Sequence, residues 1–294
     1  MIFPWCRGGH FTISATANRM GAAAETSDDR MSFAQKEWPV RGRILMAGIN
    51  SANRGRLKDN PLSGTVALVT GGGRGIGRAI AQRLATLGAS VAICGRDQKA
   101  LEDSAASLEK QGSRSFFHVT DVTKAAEVAE LVAKTEAALG PITILVNNAG
   151  IGLFGPAHER TETDWDRVLD TNLKSVFLVA RAVTPSMIQR GTGDIINISS
   201  LAGRNTFAGG GIYCASKWGL MGLTGCMAED LREHGIRVSV ICPGSVATEF
   251  SGREQKNAAK ALQPEDVAHA VEAIVTQKPG SFLSEIQLRP LRKA

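Results

Sequence analysis

Aromatic residues and cysteine pairs are scarce in this sequence, and long apolar runs are missing. Only 5% of the 294 residues are aromatic, and Tyr213 is the single tyrosine. No stretch reaches the roughly 18 consecutive apolar residues that a membrane-spanning helix needs, so we predict no membrane partner. The five cysteines lack the Cys-x-x-Cys spacing of a metal or redox site, and they indicate free thiols in a reducing compartment such as the cytoplasm. None of the five histidines forms a His-x-x-x-His pair, so we predict no metal site.

The positive charge of the chain is small and concentrated near its start. The net charge is +6, and residues 1–60 hold nine Lys or Arg against five Asp or Glu. A nucleic-acid-binding protein usually gathers its basic residues on one face within a recognisable motif. No such motif follows residue 60, so we predict no nucleic-acid partner. The hydrophobic fraction of 43% is ample for a packed core and excludes a chain that is disordered throughout.

Residues 1–60 follow neither helical nor strand periodicity. A secretory signal needs an apolar core of ~7–15 residues after its basic start, and Pro4, Cys6 and Arg7 interrupt any such core. We expect a flexible N-terminal extension, or upstream sequence before a start at Met46. A targeting peptide is the alternative left open, because residues 1–24 contain arginine and no acid. Residues 61–294 show no break in composition and are predicted to form one domain.

From Thr65 onward, short apolar runs alternate with segments of helical periodicity. Thr65–Thr70 is apolar and β-branched and predicts a buried strand, and the apolar residues of Gly75–Leu87 recur at helical spacing. Such alternation predicts right-handed βαβ units, and hence an α/β fold with a doubly wound parallel sheet of about seven strands and helices on both faces. The other predicted strands are Ser90–Cys94, Ser115–Val119, Ile142–Val146, Asp194–Ser199, Arg237–Cys242 and Glu285–Leu288.

A glycine-rich turn joins the first predicted strand to the first predicted helix. The segment Thr70–Gly77 has the sequence TGGGRGIG. Glycines there permit positive φ and let backbone N–H groups approach a pyrophosphate at the helix N-terminus. A kinase-type phosphate loop needs Lys and then Ser or Thr, but Arg78 follows Gly77. The turn therefore predicts a dinucleotide site, with a tight turn that binds nothing as the alternative.

The end of the second predicted strand bears on the choice of cofactor. An NAD site usually has an acid there that accepts hydrogen bonds from the ribose 2′-OH. Here Cys94 is followed by Gly95 and Arg96, and a guanidinium can pair with a 2′-phosphate. Arg74 in the glycine-rich turn can approach the same phosphate, and Asp97 is placed to cap the next helix. We predict that NADP(H) is preferred and that NAD(H) is possible; a solvated surface arginine at Arg96 is the alternative.

One predicted helix carries a phenol and an ammonium group on the same face, at Tyr213 and Lys217. A phenol has a pKa of ~10 and is a poor base near pH 7, but a neighbouring cation lowers that pKa. Ser199 and Ser200 lie at the end of a strand, where ligands of open α/β sheets bind. Neither serine lies in a Gly-x-Ser-x-Gly turn, which disfavours a serine hydrolase. These residues predict acid–base chemistry, whereas a packing tyrosine and loop serines are the alternatives.

Several motifs occur along the chain in the order in which a known enzyme family has them. They are Thr70–Gly77, Asp121–Thr123, Asn147–Gly150, Asn172, Ser200, Tyr213-x-x-x-Lys217 and Pro243–Thr248. On these motifs, residues 62–289 resemble the short-chain dehydrogenase/reductase family in its short, single-domain form. The resemblance implies a Rossmann-like fold and hydride transfer between a nicotinamide cofactor and a carbonyl or an alcohol.

The resemblance also implies a role for each matching residue. Tyr213 would exchange a proton with the substrate oxygen, Ser200 would orient that oxygen, and Lys217 would bind the nicotinamide ribose and lower the pKa of Tyr213. Asn172 would hold a water between Lys217 and solvent, unless it is an ordinary exposed helix residue. The implied cofactor-binding residues, besides Tyr213 and Lys217, are Gly71, Arg74, Gly75, Ile76, Gly77, Arg96, Asp121, Val122, Asn148, Ala149, Gly150, Pro243, Gly244, Val246 and Thr248.

The leading prediction is an NADP(H)-dependent oxidoreductase that interconverts a carbonyl and a secondary alcohol on a small-molecule substrate. A 3-oxoacyl-[acyl-carrier-protein] reductase of fatty-acid synthesis and a non-catalytic NADP-binding sensor are the alternatives. The predicted helix Tyr213–Glu233 has a face of small residues that includes Gly219, Gly222 and Gly225. The resemblance implies a homodimer or homotetramer through this helix and the one that contains Asn172. Close packing of the small-residue face on the chain's own sheet is the alternative.

Overall fold

The computed structural model describes residues 60–250 and 260–292. The extension predicted over residues 1–60 lies outside the described residues, apart from Asn60. Within the described ranges, no helix is long and apolar enough to cross a membrane.

Within residues 60–250 and 260–292, seven strands form one sheet, and every neighbouring pair is parallel. The strands are β1 (Val66–Thr70), β2 (Ser90–Gly95), β3 (Ser115–Val119), β4 (Ile144–Asn147), β5 (Gly193–Ile198), β6 (Ile236–Pro243) and β7 (Glu285–Leu288). Their order across the sheet is β3-β2-β1-β4-β5-β6-β7. The predicted parallel α/β sheet is confirmed, and each predicted strand lies within two residues of an observed one at either end.

Helices connect the strands and cover both faces of the sheet. They are α1 (Gly75–Thr86), α2 (Gln98–Lys110), α3 (Ala125–Leu139), α4 (Glu162–Leu169), α5 (Ser175–Arg190), α6 (Gly211–Arg232) and α7 (Pro264–Val275). Asp97 caps α2 as predicted, because its side chain accepts a hydrogen bond from the Ala100 N–H at 3.1 Å.

Side chains of the central strands alternate between two apolar layers, since successive residues of a strand point to opposite faces. Ala67 and Val69 pack with α1, α2 and α7, whereas Val66 and Leu68 pack with α3, α5 and α6. All five residues of β1 are buried, as expected for a strand that is covered on both faces.

The order of the strands determines where a ligand can bind. The chain adds β2 and β3 on one side of β1 and then returns to place β4 on the other side. At such a change of direction, the loops that leave the carboxyl ends of β1 and β4 diverge and leave a crevice. The glycine-rich turn follows β1, and the segment Asn148–Gly150 follows β4, so both predicted motifs border this crevice.

Asn172 does not lie in a regular α-helix as the sequence suggested. Residues Asp170–Lys174 form a π-helix between α4 and α5, and Asn172 is 1% exposed. The alternative of an ordinary exposed helix residue is therefore wrong. A π-helical turn holds one more residue than an α-helical turn, and here it brings a polar side chain into the interior.

Candidate active site

A cavity of about 1270 Å³ opens at the carboxyl ends of the strands. The glycine-rich turn lies at one end, and Tyr213, Lys217 and Ser200 lie along the same cavity. All predicted site residues line it except Gly77 and Asn172, which lie behind its wall. The structure therefore brings together motifs that are more than 140 residues apart in the chain.

The glycine-rich turn needs its glycines for conformation and for space. Gly71 and Gly75 have φ angles of 67° and 53°, which side chains other than glycine rarely adopt. A Cβ atom on Gly77 would lie 2.2 Å from the carbonyl oxygen of Gly71, so helix α1 can approach the turn closely only without one. Arg74 gives α1 no side-chain cap among the described contacts, and the first turn of α1 contains no acidic residue. The end of the helix can therefore accept an anion from the cavity.

Asn148 has a structural task that the sequence did not predict. Its side-chain amide donates to the Thr70 carbonyl at 2.9 Å, and the Thr70 hydroxyl accepts from the N–H groups of Asn148 and Ala149 at 3.0 Å each. These bonds tie the segment after β4 to the glycine-rich turn. Asn148 thus holds the shape of the cavity wall as well as lining it.

Charged side chains surround the part of the cavity beyond β2 and β3. Arg74 and Arg96 are exposed, and both line the cavity with Asp121. Burial raises the pKa of Asp121, but hydrogen bonds from Thr123 and the charge of Arg96 outweigh it and leave the pKa below its usual value. The Arg74 guanidinium lies 4.0 Å from the carboxylate of Glu249, and both side chains are largely exposed, so this ion pair contributes little.

The segment after β6 closes the cavity from the opposite side. The Gly244 N–H donates to the Leu288 carbonyl at 2.8 Å, and Val246 forms a parallel bridge with Leu262. Next to them, a Cβ atom on Gly75 would lie 3.3 Å from the methyl group of Thr248. The predicted residues Pro243–Thr248 therefore face the glycine-rich turn across a narrow gap.

Tyr213 lies in the first turn of α6 and is 8% exposed. The rings of Phe154 and Phe250 contact it edge-on, with centroids 5.4 and 5.9 Å away. Burial raises the pKa of Tyr213 to about 12, although interaction with the Ser200 hydroxyl acts in the opposite direction. The lowering that the resemblance assigns to Lys217 stays a prediction, and the net shift of this pKa in the chain alone is upward. The physical reason is that desolvation of the phenolate outweighs the groups that would stabilise it.

Lys217 lies one helical turn further along α6 and is 4% exposed. Its ammonium group donates to the Ile198 carbonyl at 2.9 Å and lies 5.9 Å from the centroid of the Tyr213 ring. Burial lowers the pKa of Lys217 to about 8, since an ion loses hydration in the interior. Helix α6 is thereby fastened to the end of β5 at the point where the phenol enters the cavity.

The hydroxyl of Ser200 is held by the backbone. Ser200 precedes a short 3-10 helix, Leu201–Gly203, and its oxygen accepts a hydrogen bond from the Ala202 N–H at 3.1 Å. Because this bond uses the hydroxyl as an acceptor, its O–H can donate to the Tyr213 oxygen or to a ligand. A substrate oxygen beside Tyr213 could receive that bond.

Asn172 supports the site from behind. Its amide oxygen accepts from the Ile151 N–H at 2.8 Å, and its amide nitrogen donates to the Ile151 carbonyl at 2.9 Å and to the Ser216 hydroxyl at 3.0 Å. These bonds join the loop after β4 to α6. The relay role that we predicted for Asn172 stays a prediction.

Comparison with known proteins gives the family. A sequence profile described as short chain dehydrogenase matches residues 65–259. The chain belongs to this family. It is 39% identical over 195 residues to 2-(S)-hydroxypropyl-CoM dehydrogenase 3 from Xanthobacter autotrophicus, covering 66% of this chain and 76% of that one. It is also 41% identical over 192 residues to gluconate 5-dehydrogenase from Gluconobacter oxydans, covering 65% and 75% of the two chains.

A solved structure supports the same assignment. A metagenomic short-chain oxidoreductase in complex with NADP superposes with a TM-score of 0.71 at 43% sequence identity, over 79% of this chain and 99% of that chain. The predictions of a short-chain dehydrogenase and of an oxidoreductase are therefore confirmed.

Sequence reasoning missed three phenylalanines of this short-chain dehydrogenase. Phe154, Phe207 and Phe250 line the cavity around Tyr213. They follow β4, β5 and β6 respectively, so each lies in a loop at the carboxyl edge of the sheet. In a chain with 5% aromatic residues, one phenylalanine in each of three adjacent loops was a pattern that could have identified them.

The burial of Lys217 leads to a prediction about stability. The pKa of this lysine is about 8 in the folded chain and 10.5 ordinarily, so between these values the unfolded chain binds more protons. The free energy of unfolding should therefore rise with pH in that interval. Lys217→Met lacks this titration. Between pH 7.5 and pH 10, the free energy of unfolding of the wild type should rise by up to about 3 kcal/mol more than that of Lys217→Met. Urea denaturation at the two pH values measures this difference.

The matched control for this prediction is Lys110→Met, which replaces an exposed lysine at the end of α2. It should follow the wild type at both pH values. Parallel pH dependences of the wild type and Lys217→Met would show that the buried lysine does not titrate as described.

Proposed function

We propose that this short-chain dehydrogenase is an NADP(H)-dependent oxidoreductase that interconverts a carbonyl and a secondary alcohol, with Tyr213 as general acid and base. The observation that carries the proposal is the convergence of Tyr213, Ser200 and Lys217 on a cavity whose other end is the glycine-rich turn. Such a reaction needs a proton donor and a dinucleotide-binding turn in the same cavity.

The cofactor preference is supported by the charges beyond β2. The strand ends in Gly95, and Arg96 and Arg74 lie at the cavity wall, where an acid would repel a 2′-phosphate. Asp97 is engaged as the cap of α2. The related metagenomic oxidoreductase binds NADP. The glycine-rich turn, Arg74 and Arg96 would hold NADPH, which would supply the hydride for the carbonyl carbon.

The protein's own groups supply the proton and hold the substrate oxygen. Since the pKa of Tyr213 is raised to about 12, the phenol is protonated at neutral pH and can donate to a carbonyl oxygen as the carbon–oxygen π bond breaks. Ser200 donates a second hydrogen bond to the same oxygen. The ammonium group of Lys217 lies near enough to stabilise the phenolate that remains. In the oxidation direction Tyr213 must first lose its proton, which higher pH favours.

We also propose a homodimer or homotetramer in the cytoplasm. Trp165, Phe177 and Trp218 are each about half exposed, on α4, α5 and α6. One face of α6 carries Trp218, Gly222 and Gly225. Cβ atoms on these two glycines would meet nothing within 4 Å. Gly219, by contrast, packs against Leu173 of the same chain. An exposed apolar surface of this kind, with room for a close backbone approach, suits a second copy of the chain.

Replacing the phenol tests the proposed acid. Tyr213→Phe should lower the rate of NADPH oxidation with a ketone by at least ~10²-fold, because the proton donor is lost. The affinity for NADPH, measured by fluorescence titration, should change little. Turnover that stays at the wild-type rate would remove Tyr213 from this role.

The cofactor preference can be tested at Arg96. Arg96→Ala should weaken NADPH binding by about tenfold or more and leave NADH binding unchanged, since a charge-assisted bond to the 2′-phosphate is lost. Arg114→Ala is the control, because Arg114 is exposed at the amino-terminal edge of β3. A wild-type preference for NADH, or equal losses for both cofactors, would contradict the assignment.

The assembly can be measured by sedimentation velocity. The wild type should sediment as a dimer or a tetramer, and Gly222→Arg should shift it to a smaller species because a long charged side chain blocks the close approach. Ala133→Arg places the same side chain on an exposed position of α3 and should leave the assembly intact. A monomeric wild type would rule the interface out.

A further inference from the structure

We propose that the site selects carbonyl compounds that carry an aromatic ring next to the carbonyl group, held against an aromatic rim formed by Phe154, Phe207 and Phe250. The proposal rests on the proposed function, because it names the substrate class of the same site. It is carried by the arrangement of the rim, by the contacts that hold it and by the charges around it.

The rim lies beside the ring of Tyr213 in the same cavity. Phe154 lies between two other rings, with its centroid 5.4 Å from Tyr213 and 5.9 Å from Phe207. The Phe250 ring also contacts Tyr213, with a centroid distance of 5.9 Å. All of these pairs are tilted or edge-on, with interplanar angles of 50° to 70°. A planar ring that enters beside Tyr213 can therefore make the edge-to-face contacts that aromatic groups prefer.

Part of the rim is exposed and available to a ligand. Phe207 is 49% exposed and Phe250 is 45% exposed, although both border the cavity. Apolar rings in this position gain when a ligand covers them, because their contact with water is removed. A flat apolar group would cover them more completely than a small polar one.

The backbone holds two members of the rim in place. The Gly155 N–H donates to the Gly209 carbonyl at 2.8 Å, which joins the loop after β4 to the loop after β5. The Arg160 guanidinium donates to the Phe154 carbonyl at 2.8 Å. Gly209 has a φ of 76°, and a Cβ there would lie 3.3 Å from the nitrogen of Gly155. Phe154 and Phe207 are thus positioned before a substrate arrives, which reduces the entropy lost on binding.

Among the described residues, few charged side chains lie next to Phe154 and Phe207 in the sequence. The segments 151–154 and 205–207 contain no acidic or basic residue. Arg204 forms an ion pair with Glu285, and Glu249 lies 4.0 Å from Arg74. Arg289 also lines the cavity and would favour an acidic substrate instead. The uncharged segments 151–154 and 205–207 suit a neutral aromatic compound beside the rim.

The test compares methyl ketones that differ in one group, assayed by NADPH oxidation. Acetophenone carries a flat ring, cyclohexyl methyl ketone has a ring of similar size that is not flat, and acetoacetate is small and anionic. For the wild type, kcat/KM should be at least about threefold higher for acetophenone than for cyclohexyl methyl ketone, in line with the strength of an aromatic pair. Acetoacetate should be the poorest of the three.

Substitutions in the rim should reduce this selectivity. In Phe154→Leu and Phe207→Leu, the ratio of kcat/KM for acetophenone to that for cyclohexyl methyl ketone should fall roughly two- to tenfold, because Leu keeps the apolar volume and removes the ring. Phe282→Leu is the matched control, since Phe282 precedes the amino-terminal end of β7 and does not line the cavity. Its ratio should equal that of the wild type.

The outcomes separate the two proposals. If no ketone is reduced while NADPH still binds, the proposed function fails. If ketones are reduced but cyclohexyl methyl ketone or acetoacetate is preferred, the proposed function stands and the aromatic selectivity is overturned. Should the rim variants not fold, inhibition of the wild type by 1-phenylethanol and 1-cyclohexylethanol gives the same comparison, and stronger inhibition by the cyclohexyl compound would contradict the proposal.

Discussion

The bond between the Lys217 ammonium and the Ile198 carbonyl, at 2.9 Å, fastens helix α6 to the carboxyl end of β5. Because this end of the sheet is where the loops diverge, the bond places Tyr213 inside the cavity and not on the outer surface of the helix. It also keeps a buried lysine hydrogen-bonded, which offsets part of the cost of removing its charge from water. The position of α6 against the end of β5, and with it the position of the phenol, depends on this contact.

Much of the fold was predictable because its strands are buried on both faces. Val66–Thr70 and its neighbours are continuous apolar runs, so their lengths and order gave a parallel sheet. The cap at Asp97 was also predictable, since an aspartate directly before a helical pattern is among the preferred N-cap residues. The motif residues of the cavity were predicted by resemblance, and the structure brings them together as neighbours.

The contacts between distant segments were not predictable. Nothing in the local pattern showed that Asn148 would brace the glycine-rich turn, or that Asn172 would lie in a π-helix and bind the loop after β4. The pKa of Tyr213 depends on how completely its neighbours exclude water, and that is a property of three loops that meet only in the folded chain. The aromatic rim was not predicted either, because successive members are more than 40 residues apart in the sequence.

The π-helix at Asp170–Lys174 has a consequence for the surface of the molecule. Each residue added to a helix rotates the residues after it by about 100° around the helix axis, so the extra residue of this turn sets which side of α5 faces the sheet. Removing it would turn Val176 and Val179 away from the interior and Phe177 out of its exposed position. The irregularity that lets one asparagine brace the interior therefore also decides the chemical character of the outside of the next helix. A single-residue deletion in this turn would alter both at once.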